Sequence, residues 1–204
     1  KVFADENVNS TIFLPSSYVE YYDLNSPCSV FYDNNNLVIS EYDKNEETSA
    51  VHSKLIVFNG TTETFSQVTS DENNGVFGIT DVAIYKDYVL FLVGSKIYSL
   101  PISDLTATPT DTGVFASSSF SLKGNNLIVN NSSRIEQYRI NDEIEGISFE
   151  RTSLTINETN VISVLLCENG DIVYQINSNG LYRYSSSNAT KHCISTEIKT
   201  LNYM

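Results

Sequence analysis

The side chains that could do chemistry are few. The 204-residue chain carries two histidines, His52 and His192, and three cysteines, Cys28, Cys167 and Cys193. Neither histidine stands in a His-Glu-x-x-His zinc motif, and no Gly-x-Ser-x-Gly elbow offers a nucleophile for either to activate. His192 and Cys193 are neighbours, but successive residues of a strand point to opposite faces, which makes them a poor pair of ligands for one zinc ion. The stretch Asp71-Glu-Asn-Asn-Gly75 departs from the spacing of a calcium loop, and no glycine-rich phosphate loop is present. No catalytic residue, metal or cofactor is therefore expected.

Carboxylates are abundant: 25 Asp plus Glu against 12 Lys plus Arg give a formal charge of −13. That field repels phosphate backbones and anionic lipid surfaces, which argues against nucleic acid as a direct partner. The acids cluster as Asp43, Glu46 and Glu47, as Asp71 and Glu72, and as Asp142, Glu143 and Glu145. A glycosidase needs two carboxyls held several ångströms apart across a sugar ring, and nothing in the spacing pins any two of them so. They read as solvated turns. Asp43, Glu46, Glu47, Asp71 and Glu72 are the expected partner-binding residues, because the polar loop Asp43 to Ser53 is longer than a hairpin needs.

The elements that must carry these loops read as strands. Ile79 to Ile102 divides at Lys86-Asp87 and Gly94-Ser95 into three β segments, the middle one, Tyr88 to Val93, apolar at almost every position. A strand apolar on both faces is buried on both. The pattern recurs. Cys28–Tyr32, Leu37–Tyr42, Lys54–Phe58 and Thr64–Val68 form a first unit, and the Ile79 run, followed by a Pro- and Thr-rich connection from Asp104 to Gly113, forms a second. Ser119–Leu122, Asn126–Val129, Arg134–Tyr138 and Ile147–Arg151 form a third. Val161–Leu166, Ile172–Ile176, Gly180–Tyr184 and Ile194–Ile198 form a fourth. The third strands begin at 54, 96, 134 and 180, a rhythm of roughly 40 to 50 residues that belongs to propeller blades.

With this spacing and strand order, residues 28 to 200 resemble a degenerate WD-repeat or similar β-propeller family. WD-repeats end the third strand with Trp-Asp; here, with no Trp in the chain, Phe58, Leu100, Tyr138 and Tyr184 stand in that place. Quinoprotein-like, kelch-like and hemopexin-like propellers remain open. The expected fold is thus all-β and β-propeller-like, with about four four-stranded antiparallel blades over 28–204. Residues 1–27 are expected as an N-terminal strand segment that closes the ring. The alternatives are a larger ring of which these blades are part, a closed ring of four, in which Cys28 and Cys193 come close, and a β-sandwich.

No apolar run approaches the roughly 18 residues of a membrane-spanning helix. Six Asn-x-Ser/Thr sequons begin at Asn9, Asn59, Asn130, Asn131, Asn157 and Asn188, but 22 Asn and 44 Ser plus Thr yield about five by chance. The expected function is a non-catalytic, intracellular scaffold, in cytoplasm or nucleus, that binds other protein subunits within a larger complex. A secreted or cell-surface glycoprotein domain that binds a receptor or glycan is the alternative.

Overall fold

The computed structural model describes residues 27–33, 35–44, 51–62, 64–69, 78–143, 146–177 and 180–196. The described residues form sixteen strands in four antiparallel sheets of four, with no helix among them. The first sheet holds β1 (Pro27–Asp33), β2 (Asn36–Lys44), β3 (Val51–Asn59) and β4 (Thr64–Thr69). The second holds β5 (Ile79–Tyr85), β6 (Tyr88–Val93), β7 (Lys96–Pro101) and β8 (Thr110–Phe115). The third holds β9 (Phe120–Lys123), β10 (Asn126–Asn131), β11 (Arg134–Glu143) and β12 (Gly146–Ile156). The fourth holds β13 (Val161–Leu166), β14 (Ile172–Ile176), β15 (Gly180–Ser185) and β16 (Thr190–Ser195). Every sheet runs in sequence order, and each chain crossing leads from the fourth strand of one sheet to the first strand of the next.

Alternation decides how the sheets stack. In β6, Val89 and Phe91 point toward the first sheet and Leu90 and Leu92 toward the third, and all four are fully buried. Val38, Leu55 and Val57 meet Val82, Ile84, Val89 and Phe91 between the first two sheets. Leu90, Leu92 and Ile97 meet Phe120, Leu122, Leu127 and Val129 between the second and third. Ile128 and Ile135 meet Val164, Leu166, Ile172 and Tyr174 between the third and fourth. Each fully buried Leu, Ile, Val or Phe contributes about 1.5–3 kcal/mol, so a sheet that is marginal alone gains its stability from its neighbours. A small fourth cluster, Leu37, Ile39 and Ile56, lies on the far face of the first sheet.

The first strands lie side by side, β1 against β5, β5 against β9 and β9 against β13, which places them nearest a common axis with the later strands radiating outward. The chain is therefore all-β and β-propeller-like, as its spacing predicts. A first strand is a sheet edge, and its outward N–H groups need partners. Neighbouring first strands supply them. Asp81 of β5 accepts from the Ser29 hydroxyl of β1 (2.9 Å) and from the Phe120 N–H of β9 (2.9 Å). Ser119 and Ser121 accept from the Val164 and Leu166 N–H groups of β13 at 3.1 and 2.9 Å. Burial pushes the Asp81 carboxyl above its ordinary range, against the three hydrogen bonds it accepts.

Two rim strands differ from the sequence reading. The connection is expected from Asp104 to Gly113, but its residues 110–113 belong to β8 (Thr110–Phe115), which is mostly exposed. The last strand begins at Thr190 rather than Ile194. A rim strand needs no apolar face to hold its place, so the alternation that marks inner strands fades there. The expected strand segment at 1–27 lies outside the described residues except for Pro27, the first residue of β1.

Candidate functional site

The turn that follows the first strand of each sheet sits at one end of the stack, and the second, third and fourth sheets bring three such turns together. In the second sheet the two-residue turn Lys86-Asp87 follows β5, with Lys86 in the left-handed region at φ 51°. In the third sheet Gly124, at φ 57°, makes the corresponding bend without a Cβ penalty. In the fourth sheet Cys167 to Asp171 turns around Asn169, whose side-chain oxygen accepts from the Asp171 N–H at 3.1 Å.

Two grooves open between these turns. One, of about 570 Å³, lies between the second and third sheets and is lined by Tyr85, Lys86, Gly124, Asn125, Asn141 and Asp142 with Ile140 at its floor. The other, of about 320 Å³, lies between the third and fourth sheets and is lined by Lys123, Gly124, Asn126, Gln137, Cys167 and Glu168 among others. Gly124 belongs to both, so the two grooves adjoin across one turn.

A charge pair spans each groove. Lys86 pairs with Asp142, which also accepts from the Tyr85 hydroxyl at 3.4 Å, and Lys123 pairs with Glu168 at 2.9 Å. The Asp142 carboxylate raises the Lys86 ammonium, and the Lys123 ammonium lowers the Glu168 carboxyl. All four side chains are more than half exposed. Such exposed pairs are weak and screened by salt, which leaves them available to exchange partners with an incoming surface.

Below the second groove, Asp171 is buried, ion-paired with Arg183, and accepts from the Ser186 N–H (3.1 Å) and the Asn169 amide (2.9 Å). The Arg183 guanidinium holds its carboxyl below the usual range. These bonds tie the β13–β14 turn to the β15–β16 turn. Burial, with Asp171 second, pushes the Cys167 thiol up, away from the thiolate that a nucleophile needs. Cys167 and Cys193 are both free. His192 is exposed, its Nε2 3.0 Å from the Thr190 hydroxyl. Among the described residues no three His, Cys, Asp or Glu side chains converge on a metal-sized site. Chemically, the face can form hydrogen bonds and salt bridges.

Of the residues expected to bind a partner, Asp43 lies in β2, paired in register with His52 of β3, so the paired strands reach further than the sequence suggested. Glu46, Glu47, Asp71 and Glu72 lie outside the described residues. Asp142, read as part of a solvated cluster, instead lines the larger groove. No sequence signal joined it to Lys86, 56 residues earlier; only the stacking of two sheets does.

No known protein family matches the chain, and no curated protein sequence does. Among solved structures it is similar to the extracellular domain of BT4673 from B. thetaiotaomicron, with a TM-score of 0.55 and 17% identity over 85% of this chain and 22% of that one. It is also similar to PorZ, a surface component of the type-IX secretion system of Porphyromonas gingivalis, with a TM-score of 0.48 and 14% identity over 83% of this chain and 21% of that chain. A further match is YCF48 bound to a D1 peptide, with a TM-score of 0.48 and 11% identity over 81% of this chain and 51% of that one. The chain thus spans only part of each, and at these identities the likeness is one of fold.

Proposed function

We propose that this chain is a non-catalytic β-propeller scaffold, degenerate WD-repeat-like in build, that binds other protein subunits within a larger complex inside the cell. The observation that carries this reading is the pair of adjoining grooves across Gly124, a polar, rigidly framed face bordered by Lys86, Asp142, Lys123 and Glu168. Function on such folds resides in the loops that a rigid ring presents. The half-buried Cys167, whose thiol burial pushes above its ordinary range, supports a binding role over an enzymatic one. The acidic segment from Asp43 to Ser53 is the second contact region proposed.

The test is charge reversal at the grooves. Lys86→Glu combined with Lys123→Glu should release co-purifying proteins while leaving the unfolding temperature within about 2 °C, because the broken pairs are exposed. Unchanged co-purification with both reversals in place would sink the grooved face as the contact. Reversal of Asp43, Glu46 and Glu47 tests the loop in the same way.

A secreted or cell-surface glycoprotein domain is the second reading, and the exposure of Asn157 and Asn188, each in a sequon, favours it. Asn130 is 1% exposed, and its amide donates to the Ser118 hydroxyl (2.7 Å) and the Val161 carbonyl (2.8 Å), so it is no acceptor in the folded chain. Glycosidase treatment of native material should lower the mass through Asn157 or Asn188 if this reading holds, and should change nothing if the scaffold is intracellular.

A further inference from the structure

About 20 Å along β11 from the groove residue Ile140, the strand begins at Arg134, and here the third sheet buries a carboxylate under two guanidinium groups. Glu136 is 2% exposed. Its Oε1 lies 2.6 Å from Arg134 Nε and 2.7 Å from Arg151 Nη2, and its Oε2 accepts from the Tyr138 hydroxyl at 3.2 Å. Arg151 Nη2 also lies 3.3 Å from the Thr155 hydroxyl. Both arginines converge on a single oxygen, yet their side chains are 41% and 43% exposed.

One carboxylate neutralises one guanidinium, so the cluster keeps a net positive charge. Among the described residues Glu136 is the only acid paired with either arginine. Arg134 reaches Glu136 through Nε, which leaves both of its Nη groups; Arg151 reaches it through Nη2, which leaves Nε and Nη1. The two side chains stay partly exposed, held near one another by ion pairing to the same buried oxygen, although neither Arg134 Nε nor Glu136 Oε1 makes a hydrogen bond of good geometry there. Guanidinium planes match carboxylate and phosphate oxygens in pairs, and a fork held before binding loses little side-chain freedom on binding.

We propose that Arg134 and Arg151 form an oxyanion-binding site, with Glu136 as its buried positioning residue, and that its ligand is the carboxylate or phosphate group of an acidic partner. Recognition is short-range: the chain's overall charge of −13 opposes long-range attraction, and at physiological salt that field is screened beyond about 8 Å. The site is independent of the grooved face.

The chain has four arginines, 134, 139, 151 and 183, so their Nε–H resonances can be followed singly. The full chain is titrated at constant ionic strength with inorganic phosphate and, separately, with acetate. The expected result is a saturable shift of Arg134 and Arg151 together, with Arg139 and Arg183 still. Saturation by phosphate alone restricts the ligand to a phosphorylated partner, and saturation by acetate as well extends it to carboxylate-bearing ones. Arg151→Gln should weaken the Arg134 response at least tenfold. Arg151→Lys keeps a charge beside Glu136 but lacks the fork, and should fold and still bind several-fold more weakly. Movement of all four resonances in parallel, no saturable movement, or unchanged affinity in Arg151→Lys would overturn the proposal.

Discussion

Replacing Asp81 by alanine tests how much the axis of the stack depends on one side chain. The substitution removes the acceptor for the Ser29 hydroxyl, the Val82 N–H and the Phe120 N–H, at 2.9, 3.0 and 2.9 Å. A buried donor left without a partner costs about 1–3 kcal/mol. Phe120 N–H has no way to turn, whereas Ser29 can rotate its hydroxyl and counts least. Against this, removing the carboxylate relieves a charge that burial disfavours, as the raised Asp81 pKa records. The net loss at neutral pH is about 2 kcal/mol, the unpaired Phe120 N–H outweighing the relief. For a chain of this length that lowers the unfolding temperature by about 4–8 °C, readable by far-ultraviolet circular dichroism.

The pH dependence fixes the mechanism. A carboxyl whose folded pKa is raised adds stability that is fully present below its unfolded value of 3.8 and is lost as pH rises through the folded value. Measured against Asp81→Asn, which does not titrate, the wild type should therefore hold its full relative stability below pH 3.8 and lose ground toward pH 7. A gap that widens in favour of the wild type between pH 4 and 7, or an alanine variant as stable as the wild type, would refute the account.

Glu136→Ala leaves Arg134 and Arg151 without their shared carboxylate and the Tyr138 hydroxyl without its acceptor; because both arginines are partly exposed and can be hydrated, it should cost about 1–2 kcal/mol, read as a fall in the urea midpoint. Gly180→Ala places a Cβ 2.2 Å from the Ser195 carbonyl oxygen at a backbone φ of +109°; a loss of about 2–4 kcal/mol and faster amide exchange in β16 are expected. Asp171 shifts the other way from Asp81: its pKa is lowered, first by Arg183, so its contribution is present above 3.8 and fades as pH falls through the folded value. The advantage of the wild type over Asp171→Asn should hold at pH 6 and shrink toward pH 2, as followed by denaturant titration.

The inner strands were legible because their chemistry is decided by burial on two faces: Tyr88 to Val93 is apolar throughout since each side meets a neighbouring sheet. Turns were legible where two polar residues or a glycine must bend the chain, as at Lys86-Asp87 and Gly94-Ser95. β8 escaped because Thr110 to Gly113 is polar and largely exposed, and only Val114 of the strand reaches the core. The site was harder still. The search by sequence favoured acids in a long loop, whereas Lys86 and Asp142 meet across two sheets. Nothing in the sequence marks Glu136 as buried; it is enclosed only once β11 and β12 pair and bring Arg151 beside it with Arg134.

The stitched axis also bears on misassembly. Since Asp81, Ser119 and Ser121 already occupy donors on the inner edges, a foreign strand has little to grip at the hub. Strand-by-strand addition, whether by a binding peptide or by an aggregating copy, is thereby directed to the circumference, where β4, β8, β12 and β16 end their sheets.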